Sequence, residues 1–286
     1  MRKGGLRVLL YVGPAVLILT FFLVYPVFDT IRLSLYGPNS EQFVGLKNYI
    51  FAFTSPTMLE AFKNNLIWLV LFTVVTVVGG LVIAVLLDKV EYESTAKAII
   101  FLPQAISFVG AGVIWKFVYD FNPDVGLLNG ILTALFPDMQ PIGWLVNADI
   151  ATYALIAVGI WMWTGFAMII FSAAIKSIPD EIIDSARVDG ADDWQIFWRI
   201  TVPMIASTIA VVTTTLIITV LKIFDLIYVM TNGNYDTNVI ANQMYKELYI
   251  SRNNGRASAI AVVLLLAIIP VMLFNIRRFQ EQEAQR

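Results

Sequence analysis

Histidine and cysteine are both absent from this chain of 286 residues. The imidazole and thiol groups that hold zinc, haem and iron–sulfur clusters in most proteins are therefore missing, and the sequence predicts no metal site. A Ser-His-Asp or Cys-His catalytic arrangement is excluded for the same reason, so we expect no catalytic residue. The phosphate-binding string G-x-x-x-x-G-K-[ST] is also absent, and the chain cannot bind ATP by that route.

Charged residues are scarce in this sequence. They make up 14% of it, and hydrophobic residues make up 58%, whereas soluble domains carry roughly 25% charged residues. So much apolar sequence cannot be hidden in one soluble core. The composition therefore predicts a protein embedded in a lipid bilayer.

Six apolar stretches are long enough to cross a bilayer, because about 20 predominantly apolar residues span about 30 Å of hydrocarbon. We place them at Val8–Phe28, Leu66–Leu87, Ile99–Tyr119, Ile150–Ile175, Met204–Met230 and Ala257–Ile276. The first is longer than the ~7–15-residue apolar core of a signal peptide and is interpreted as an uncleaved anchor. Neither an internal repeat nor a matching pair of interrupted spans is visible, which weakens a secondary-transporter interpretation. The predicted fold class is all-α, with one polytopic transmembrane domain over residues 1–286.

Lysine and arginine are distributed unevenly between the two sides of these spans. Eleven fall on the side that holds both termini and the loop 177–203, and seven fall on the other side. Cytoplasmic loops carry the excess of positive charge in membrane proteins. The loop Phe121–Asn147, which contains Asp124 and Asp138 but no Lys or Arg, fits the outer side. Both termini and the loop 177–203 are therefore predicted to be cytoplasmic.

Lys222 and Asp225 are the ionisable residues that lie well inside a predicted span. Their spacing of three places them on one face of a continuous helix, where they could neutralise each other. Ionisable residues in hydrocarbon are costly and often mark a transport path. Two interpretations stay open here. The residues could be a structural pair or could snorkel to the interface near the outer end of the span, or they could be part of the lining of a translocation path.

A charged segment, Ser177–Pro203, separates the fourth and fifth predicted spans and is called here the acidic loop. Ser177, with a carboxylate three residues on, and a proline in the first turn predict a short helix over about Pro179–Val188. Gly190 can end that helix with a positive φ, and Asp192 or Asp193 can cap a second helix. The predicted arrangement is helix, glycine corner, helix.

The charge of the acidic loop bears on what it meets. The loop, counted together with Lys176 directly before it, carries six carboxylates against three basic residues. Its second helix contributes the large apolar side chains of Trp194, Phe197 and Trp198. An amphipathic connector lying on the headgroups is one interpretation. An acidic helix is a poor match for an anionic leaflet, however, because that leaflet attracts Lys and Arg. A protein partner with a basic-rimmed groove is the favoured interpretation.

The loop also carries a spaced pattern. Asp184, Ser185 and Ala186 are followed after three residues by Gly190 and, after nine more, by Ile200-Thr201-Val202-Pro203. This resembles the EAA loop of binding-protein-dependent ABC importer permeases, in which Glu-Ala-Ala, three residues, Gly and nine residues precede Ile-x-Leu-Pro. The flanking Asp189 and Ala191 look like the sugar-importer branch of that family. Asp184 replaces the family's Glu, Ser185 its second-position Ala, and Val202 its Leu.

Similarity to sugar permeases of the maltose-transporter type continues outside the loop. It is carried by Phe101-Leu102-Pro103, Trp115-Lys116-Phe117, Trp161 to Gly165 and Leu221 to Asp225. The run that continues to Gly126-Leu127-Leu128-Asn129 resembles the first of the two permeases that such systems usually have. Met230 to Tyr235 resembles the corresponding segment of α-glucoside or glucosylglycerol-type importers.

The resemblance implies a permease subunit of an ATP-driven sugar importer in the bacterial plasma (inner) membrane, and not an enzyme. Its implied partners are a second permease in a heterodimer, two ABC ATPase subunits, an extracytoplasmic solute-binding protein and membrane lipid, with no nucleic acid. No cofactor is implied on this chain, because ATP and Mg would bind to the ATPases. A channel or secondary transporter is the alternative, and an intramembrane enzyme fits the residues least.

The resemblance also assigns roles within the loop. The first loop helix would dock in an ATPase cleft, with Asp184 as the charged anchor, Gly190 as the corner, and the small Ala186 and Ala191 allowing close approach. The implied coupling set is completed by Ser185, Asp189, Ile200 and Pro203. The outer loops, Phe121–Asn147 and Thr231–Gly255, are the expected contacts for the binding protein.

Overall fold

The computed structural model describes residues 3–88 and 90–284, with side chains described over residues 11–88 and 90–273. Arg2, Lys89 and Arg286, which contribute to the predicted orientation, lie outside the described residues, as do the side chains of Lys3, Arg7, Arg277 and Arg278. Helix accounts for 76% of the chain, and the described part contains no strand. The predicted helical fold class is confirmed.

The described chain divides into two compact units, one of residues 3–59 with Gln243–Leu266 and one of Glu60–Asn242 with residues 267–284. The α-helices are α1 Lys3–Leu19, α2 Tyr25–Leu33, α3 Lys47–Thr54, α4 Pro56–Leu87, α5 Glu93–Phe101, α6 Phe108–Val118, α7 Leu127–Leu135, α8 Ala148–Lys176, α9 Asp180–Val188, α10 Asp193–Ile196, α11 Val202–Met204, α12 Ala206–Leu221, α13 Asp225–Met230, α14 Ile240–Tyr245 and α15 Asn254–Ala284. A 3-10 turn lies at Leu102–Ala105, and π-helical turns lie at Thr20–Val24, Phe197–Thr201 and Lys246–Ile250.

Four helical stretches are long and apolar enough to cross a membrane. They are Tyr11–Leu33, Pro56–Leu87, Ala148–Lys176 and Asn254–Leu273. Each coincides with one of the predicted spans, namely the first, second, fourth and sixth. Hydropathy therefore located these four correctly, because each is a single run of apolar residues with few charges.

The predicted span Ile99–Tyr119 is wrong as a single helix. The segments Glu93–Ala105 and Phe108–Val118 meet at an angle of 101°. The backbone is extended at Ile106 and Ser107, and the Ser107 hydroxyl oxygen accepts a hydrogen bond from the Gly110 amide at 3.1 Å. A serine in this position is an N-cap, so the sequence begins a new helix in the middle of the apolar stretch.

The predicted span Met204–Met230 is also interrupted. Asp193–Met204 and Ala206–Leu221 meet at 67°, and Pro203, which has no N–H to donate, lies just before this bend. A second interruption follows, because α12 ends at Leu221 and α13 begins at Asp225. The described residues thus contain four candidate spans, or up to six if each bent pair forms one span.

Close approaches of backbone hold the larger unit together around α8. A Cβ atom added to Gly165 of α8 would lie 2.4 Å from the carbonyl oxygen of Ile100 in α5, and one added to Gly80 of α4 would lie 2.6 Å from the Cβ of Ala167. Gly159 gives similar room to the Trp68 ring. Small residues at such contacts let membrane helices pack closely. The helix that leads into the acidic loop is therefore packed tightly against α4 and α5.

The smaller unit is organised by a buried amide. Nδ2 of Asn48 donates to the carbonyl oxygens of Ser34 and Tyr36 at 2.8 and 2.7 Å. A Cβ on Gly255, at the start of α15, would lie 1.9 Å from the same Tyr36 oxygen. The segment after α2 is thereby held against both α3 and α15, with its carbonyl groups satisfied.

The amino-terminal stretch Tyr11–Leu33 is almost wholly exposed. In the described part of the chain, none of its most apolar window is buried, and Tyr11, Leu17 and Phe22 are among its exposed side chains. A continuous apolar surface of this length needs a cover other than water. Lipid or another membrane protein would provide it.

The packing at Gly80 generates a prediction. We expect Gly80→Ala to destabilise the protein by about 1–3 kcal/mol through overpacking against Ala167, which would lower its melting temperature in detergent. Gly79→Ala is the matched control, since a Cβ there would meet only a methyl group of Thr164 at 3.9 Å. An equal melting temperature for the two variants, measured by fluorescence-detected size exclusion after heating, would contradict the close contact.

Candidate functional site

The acidic loop folds as the sequence predicts in its main features. It forms α9 over Asp180–Val188, turns at Gly190, and continues as α10 over Asp193–Ile196. Asp180 and Glu181 lie in the first turn of α9, where carboxylates interact favourably with the helix dipole. The Asp192 side chain accepts a hydrogen bond from the Gln195 amide at 2.7 Å and caps α10. The predicted helix, corner and helix are confirmed.

The predicted N-cap role of Ser177 is wrong. Its hydroxyl donates to the carbonyl oxygen of Ala174 at 2.7 Å, so it closes the end of α8 instead of opening α9. Pro179 occupies the N-cap position of α9, and no described side chain caps that end. Serine can bond backward or forward along the chain, and here the free carbonyl groups of α8 are the nearer partners.

Gly190 makes the corner through a specific backbone arrangement. Its φ is +85°, and its amide donates to the Arg187 carbonyl oxygen at 3.0 Å. The next amide, of Ala191, donates to the Ala186 oxygen at 3.0 Å. These two bonds form a Schellman motif, in which a left-handed residue satisfies the last carbonyl groups of a helix. Ala186 and Ala191 are therefore joined directly, and glycine is needed for its backbone conformation.

Asp184 is presented at the surface of α9. One carboxylate oxygen lies 3.5 Å from a guanidinium nitrogen of Arg187, and the Asp184 side chain is 70% exposed. Arg187 also lies 3.7 Å from a carboxylate oxygen of Asp193 in α10. Exposed pairs of this kind contribute little stability. The Asp184 carboxylate is therefore accessible to a partner, and Arg187 links α9 loosely to α10.

Apolar side chains are also exposed in the acidic loop. All residues of α9 are described and none of them is buried, and Val188 at its end is 87% exposed. In α10 and the turn after it, Trp194 is 70% exposed and Trp198 is 50% exposed. Exposed tryptophans beside an aliphatic residue are typical of a binding surface. The surface thus combines an exposed carboxylate with apolar contacts.

A cavity of about 610 Å³ borders α9. It is lined by residues of the acidic loop and by the ends of α4 and α8, namely Val85, Asp88, Ile175, Lys176, Ile178, Asp180, Ile183, Asp184, Arg187, Asp193, Ile196, Phe197 and Thr201. The sequence analysis did not single out Val85 or Asp88. These two residues lie at the end of α4, and only the fold brings them to the acidic loop.

The remaining residues of the predicted coupling set have separate positions. Ser185 donates its hydroxyl to the Glu181 carbonyl oxygen at 2.6 Å, within α9. Asp189 is the C-cap of that helix. Ile200 lies half-buried in the π-helical turn, and Pro203 is exposed in α11. Asp184 to Ala191 therefore form the presented surface, while Ile200 and Pro203 belong to the return toward α12.

Lys222 and Asp225 do not share a helical face, so this part of the interpretation is corrected. Lys222 is the C-cap of α12, and Asp225 begins α13. Both are exposed, and no ion pair joins them in the described part of the chain. They line a cavity of about 170 Å³ together with Phe108, Thr219, Ile223 and Phe224. The interpretation as a mutually neutralising pair is wrong, and that as lining residues stays a prediction.

The loop Phe121–Asn147 is fixed by a buried polar side chain. Residues Leu127–Leu135 of this loop form α7. Asn129 in this helix is fully buried, donates to the Asp120 and Ile142 carbonyl oxygens at 2.9 Å, and accepts from the Ile142 amide at 2.9 Å. The sequence analysis missed its role. The loop is thereby closed on itself.

Tyr119 is a packing residue. It is 5% exposed, its hydroxyl donates to the Ala154 carbonyl oxygen at 3.0 Å, and its ring lies 5.8 Å from that of Trp144. Tyr119 and Trp144 contribute to the lining of a cavity of about 490 Å³. Within the described residues, no group of acidic side chains could hold a metal ion.

Comparisons with known proteins place this geometry in context. The family described as binding-protein-dependent transport system inner membrane component matches residues 14–283. The osmoprotective compounds uptake permease protein GgtC of Synechocystis sp. is 58% identical over 97% of this chain and 100% of its own length. The alpha-glucoside transport system permease protein AglF of Rhizobium meliloti is 44% identical over 96% of this chain and 82% of its own.

A solved structure is similar over almost the same extent. A chain of a bacterial alginate ABC transporter, crystallised in complex with an alginate pentasaccharide-bound periplasmic protein, superposes with a TM-score of 0.81. The two chains are 26% identical, and the match covers 93% of this chain and 92% of that one.

The corner at Gly190 generates a prediction about backbone protection. We expect Gly190→Val to disfavour the left-handed backbone by roughly 1–2 kcal/mol and to speed hydrogen exchange of the Ala191 amide roughly 5–30-fold. Gly190→Asn is the control, because asparagine tolerates this conformation and a Cβ would meet no described atom within 4 Å. Equal exchange in both variants, measured by mass spectrometry, would show that the corner does not depend on glycine.

Proposed function

This chain belongs to the family of binding-protein-dependent transport system inner membrane components, and from that premise we propose that it forms half of the translocation path for a sugar or sugar-like solute. It is a permease subunit of an ABC importer and not an enzyme. The proposal concerns the solute, the path and the way in which this subunit is coupled to ATP hydrolysis.

The observation that carries the coupling role is the surface of α9. An exposed Asp184, an exposed Val188 and a Schellman corner at Gly190 together form a rigid, acidic and partly apolar knob. Such a knob fits a cleft with a basic rim on an ATPase subunit, because charge complementarity guides the contact and apolar burial stabilises it. In this role Asp184 anchors α9 to the ATPase, and Gly190 sets the direction in which the chain leaves α9.

The membrane arrangement proposed here has six spans: the four long helical stretches, the bent pair that α5 begins, and the stretch that begins at Met204 after the acidic loop. Both termini and the acidic loop lie on the cytoplasmic side of the bacterial inner membrane, and residues 1–286 act as one transmembrane domain. The excess of lysine and arginine on that side supports this orientation. The exposed apolar surface of Tyr11–Leu33 supports contact with lipid or a second permease.

The proposed assembly is a heterodimer of this chain with a second permease. Two ATPase subunits, which bind ATP and Mg, meet the acidic loops, and a solute-binding protein meets the outer loops Phe121–Asn147 and Thr231–Gly255. Lys222 and Asp225 are proposed to line the path, since both face a small cavity that also contains two aromatic rings, Phe108 and Phe224. Aromatic faces and charged groups together suit a polar, ring-shaped solute.

The proposed solute class is a glucoside. It is supported by the names of the two relatives, one for osmoprotective compounds and one for alpha-glucosides. The segment Met230 to Tyr235 resembles that of α-glucoside or glucosylglycerol-type importers, and both solute types contain a glucosyl ring. The proposal is therefore an α-glucosyl compound in which this ring is the recognised part.

The function is tested by reconstituting this chain in proteoliposomes with its second permease, ATPase and binding protein. We expect uptake of a labelled α-glucosyl compound that requires hydrolysable ATP. Vesicles with a non-hydrolysable ATP analogue are the control, and a panel of disaccharides, glucosides and glycosylated polyols ranks the solutes. Uptake by the chain alone, driven by an ion gradient, would contradict the proposal and favour a secondary transporter.

The docking role of Asp184 gives a second test. Asp184→Lys should weaken binding of the ATPase subunit to this permease at least about tenfold, which corresponds to ~1.4 kcal/mol, while Asp184→Glu should bind as well as the natural residue. Asp138→Lys, at an exposed position of the outer loop, makes the same charge change as a control. Equal affinities for the two lysine variants, measured by surface-immobilised binding, would remove Asp184 from the interface.

A further inference from the structure

A cluster of charges joins the end of α8 to the segment between α4 and α5. Nζ of Lys176, the last residue of α8, lies 2.7 Å from one carboxylate oxygen of Glu93 and 3.8 Å from Asp88. Glu93 is the first residue of α5 and also pairs with Lys97 one turn later. Lys97 in turn donates to the hydroxyl of Ser172 in α8. Two carboxylates and two ammonium groups thus bridge α5 and α8.

The cluster is sheltered enough to contribute to rigidity. The side chains of Lys97 and Glu93 are 16% and 21% exposed and Ser172 is 3% exposed, while Lys176 at the edge of the cluster is 51% exposed. Isolated pairs on the surface are worth little, but partly buried networks with several shared partners hold their geometry better. We therefore treat the α5–α8 contact as fixed by the charges and not as a chance surface pairing.

Helical spacing places the α5 residues of the cluster on one face of α5 and the α8 residues on one face of α8. Glu93, Lys97 and Ile100 follow each other at i, i+4 and i+7 along α5, and Gly165, Ser172 and Lys176 do so at i, i+7 and i+11 along α8. Residues at these spacings share one helix face. At the far end of the contact, a Cβ on Gly165 would lie 2.4 Å from the Ile100 carbonyl oxygen. The two helices are therefore held by charges at one end and by backbone contact at the other.

The junction between α5 and α6 is an extended segment with a sharp change of direction. After the 3-10 turn, Ile106 and Ser107 are extended, and α6 leaves at 101° to the preceding segment. Ser107 caps α6 at its own amino end, so α6 is complete without α5. Two extended residues that join a 3-10 turn to a separately capped helix are the kind of segment that absorbs backbone rotation in hinge motions.

We propose that Glu93, Lys97 and Lys176 are positioning residues that make α5 follow α8 when the acidic loop is moved by its ATPase, with Ile106 and Ser107 as the hinge between α5 and α6. The inference rests on the proposed function, since it takes the acidic loop as the point where force enters. Lys176 lies directly before that loop, so movement of α9 reaches the cluster first. The cluster then extends the movement to the interrupted span that α5 begins.

The absence of cysteine from the chain makes a distance measurement direct. In the assembled transporter, spin labels at Thr95→Cys on α5 and Ala173→Cys on α8 report on the proposed rigid pair, and labels at Thr95→Cys and Phe117→Cys report across the hinge. All three positions are exposed. We expect the first distance to stay the same with and without ATP, and the second to change. A nucleotide-dependent Thr95–Ala173 distance, or a constant Thr95–Phe117 distance, would overturn the inference.

Charge variants test the cluster itself. Lys176→Glu should lower the number of solute molecules taken up per ATP hydrolysed at least about fivefold, the lower end of usual coupling between sites, and should make the Thr95–Ala173 distance depend on nucleotide. Lys176→Arg should retain both properties. Glu91→Lys, an exposed change of charge in the same connecting segment, is the control. Unchanged uptake per ATP in Lys176→Glu, or loss of it in Lys176→Arg, would overturn the positioning role.

Binding of the ATPase is measured in the same samples. If the ATPase does not bind the natural chain, the proposed function fails and the inference fails with it. If it binds and drives uptake while the distances contradict the expectation, the inference alone fails. Because the label experiment uses the natural charges, poor folding of Lys176→Glu would leave that experiment decisive.

Discussion

Direct contact between helix backbones is the constraint on which the larger unit depends. Within hydrocarbon there is no hydrophobic force to bring helices together, so they associate through close packing and a few polar bonds. α8 meets α4 at Gly80 and Ala167 and meets α5 at Gly165. Since α8 also ends at the acidic loop, the packing that holds the unit together also determines where the loop begins. A side chain at either glycine would therefore disturb both the fold and the presentation of α9.

The interruptions in the helices occur where the backbone has a substitute for the lost helical bonds. Unsatisfied backbone groups are costly in a bilayer, so a break requires a local partner. Ser107 supplies one by capping α6, and Pro203 has no amide to satisfy at all. The breaks therefore cost less free energy than expected for interruptions in the middle of an apolar stretch. They give the third and fifth predicted spans a freedom of direction that the straight helices α4 and α8 lack.

Much of the fold follows from hydropathy, and the acidic loop follows from capping residues and charge. The breaks were missed because an average over an apolar window carries no information on backbone direction, although Ser107 is a readable helix start. Ser177 was misassigned because serine can serve the helix before it or the helix after it. The bridge from Lys176 to Glu93 spans 83 positions in the chain, so no local pattern indicates it. The same holds for the cavity beside α9, because its lining combines the ends of α4 and α8 with residues of the acidic loop.

The acidic loop has one further consequence. Its shaping bonds are all local: Ser185 to Glu181, Ala191 to Ala186 and Asp192 to Gln195. The knob that α9 forms is therefore built before any partner arrives. Binding a preorganised element avoids most of the entropy cost of ordering a flexible one. The shape that α9 presents would then not depend on the ATPase subunit that binds it. Adapting the permease to a different ATPase would require changes in surface side chains and not in the fold.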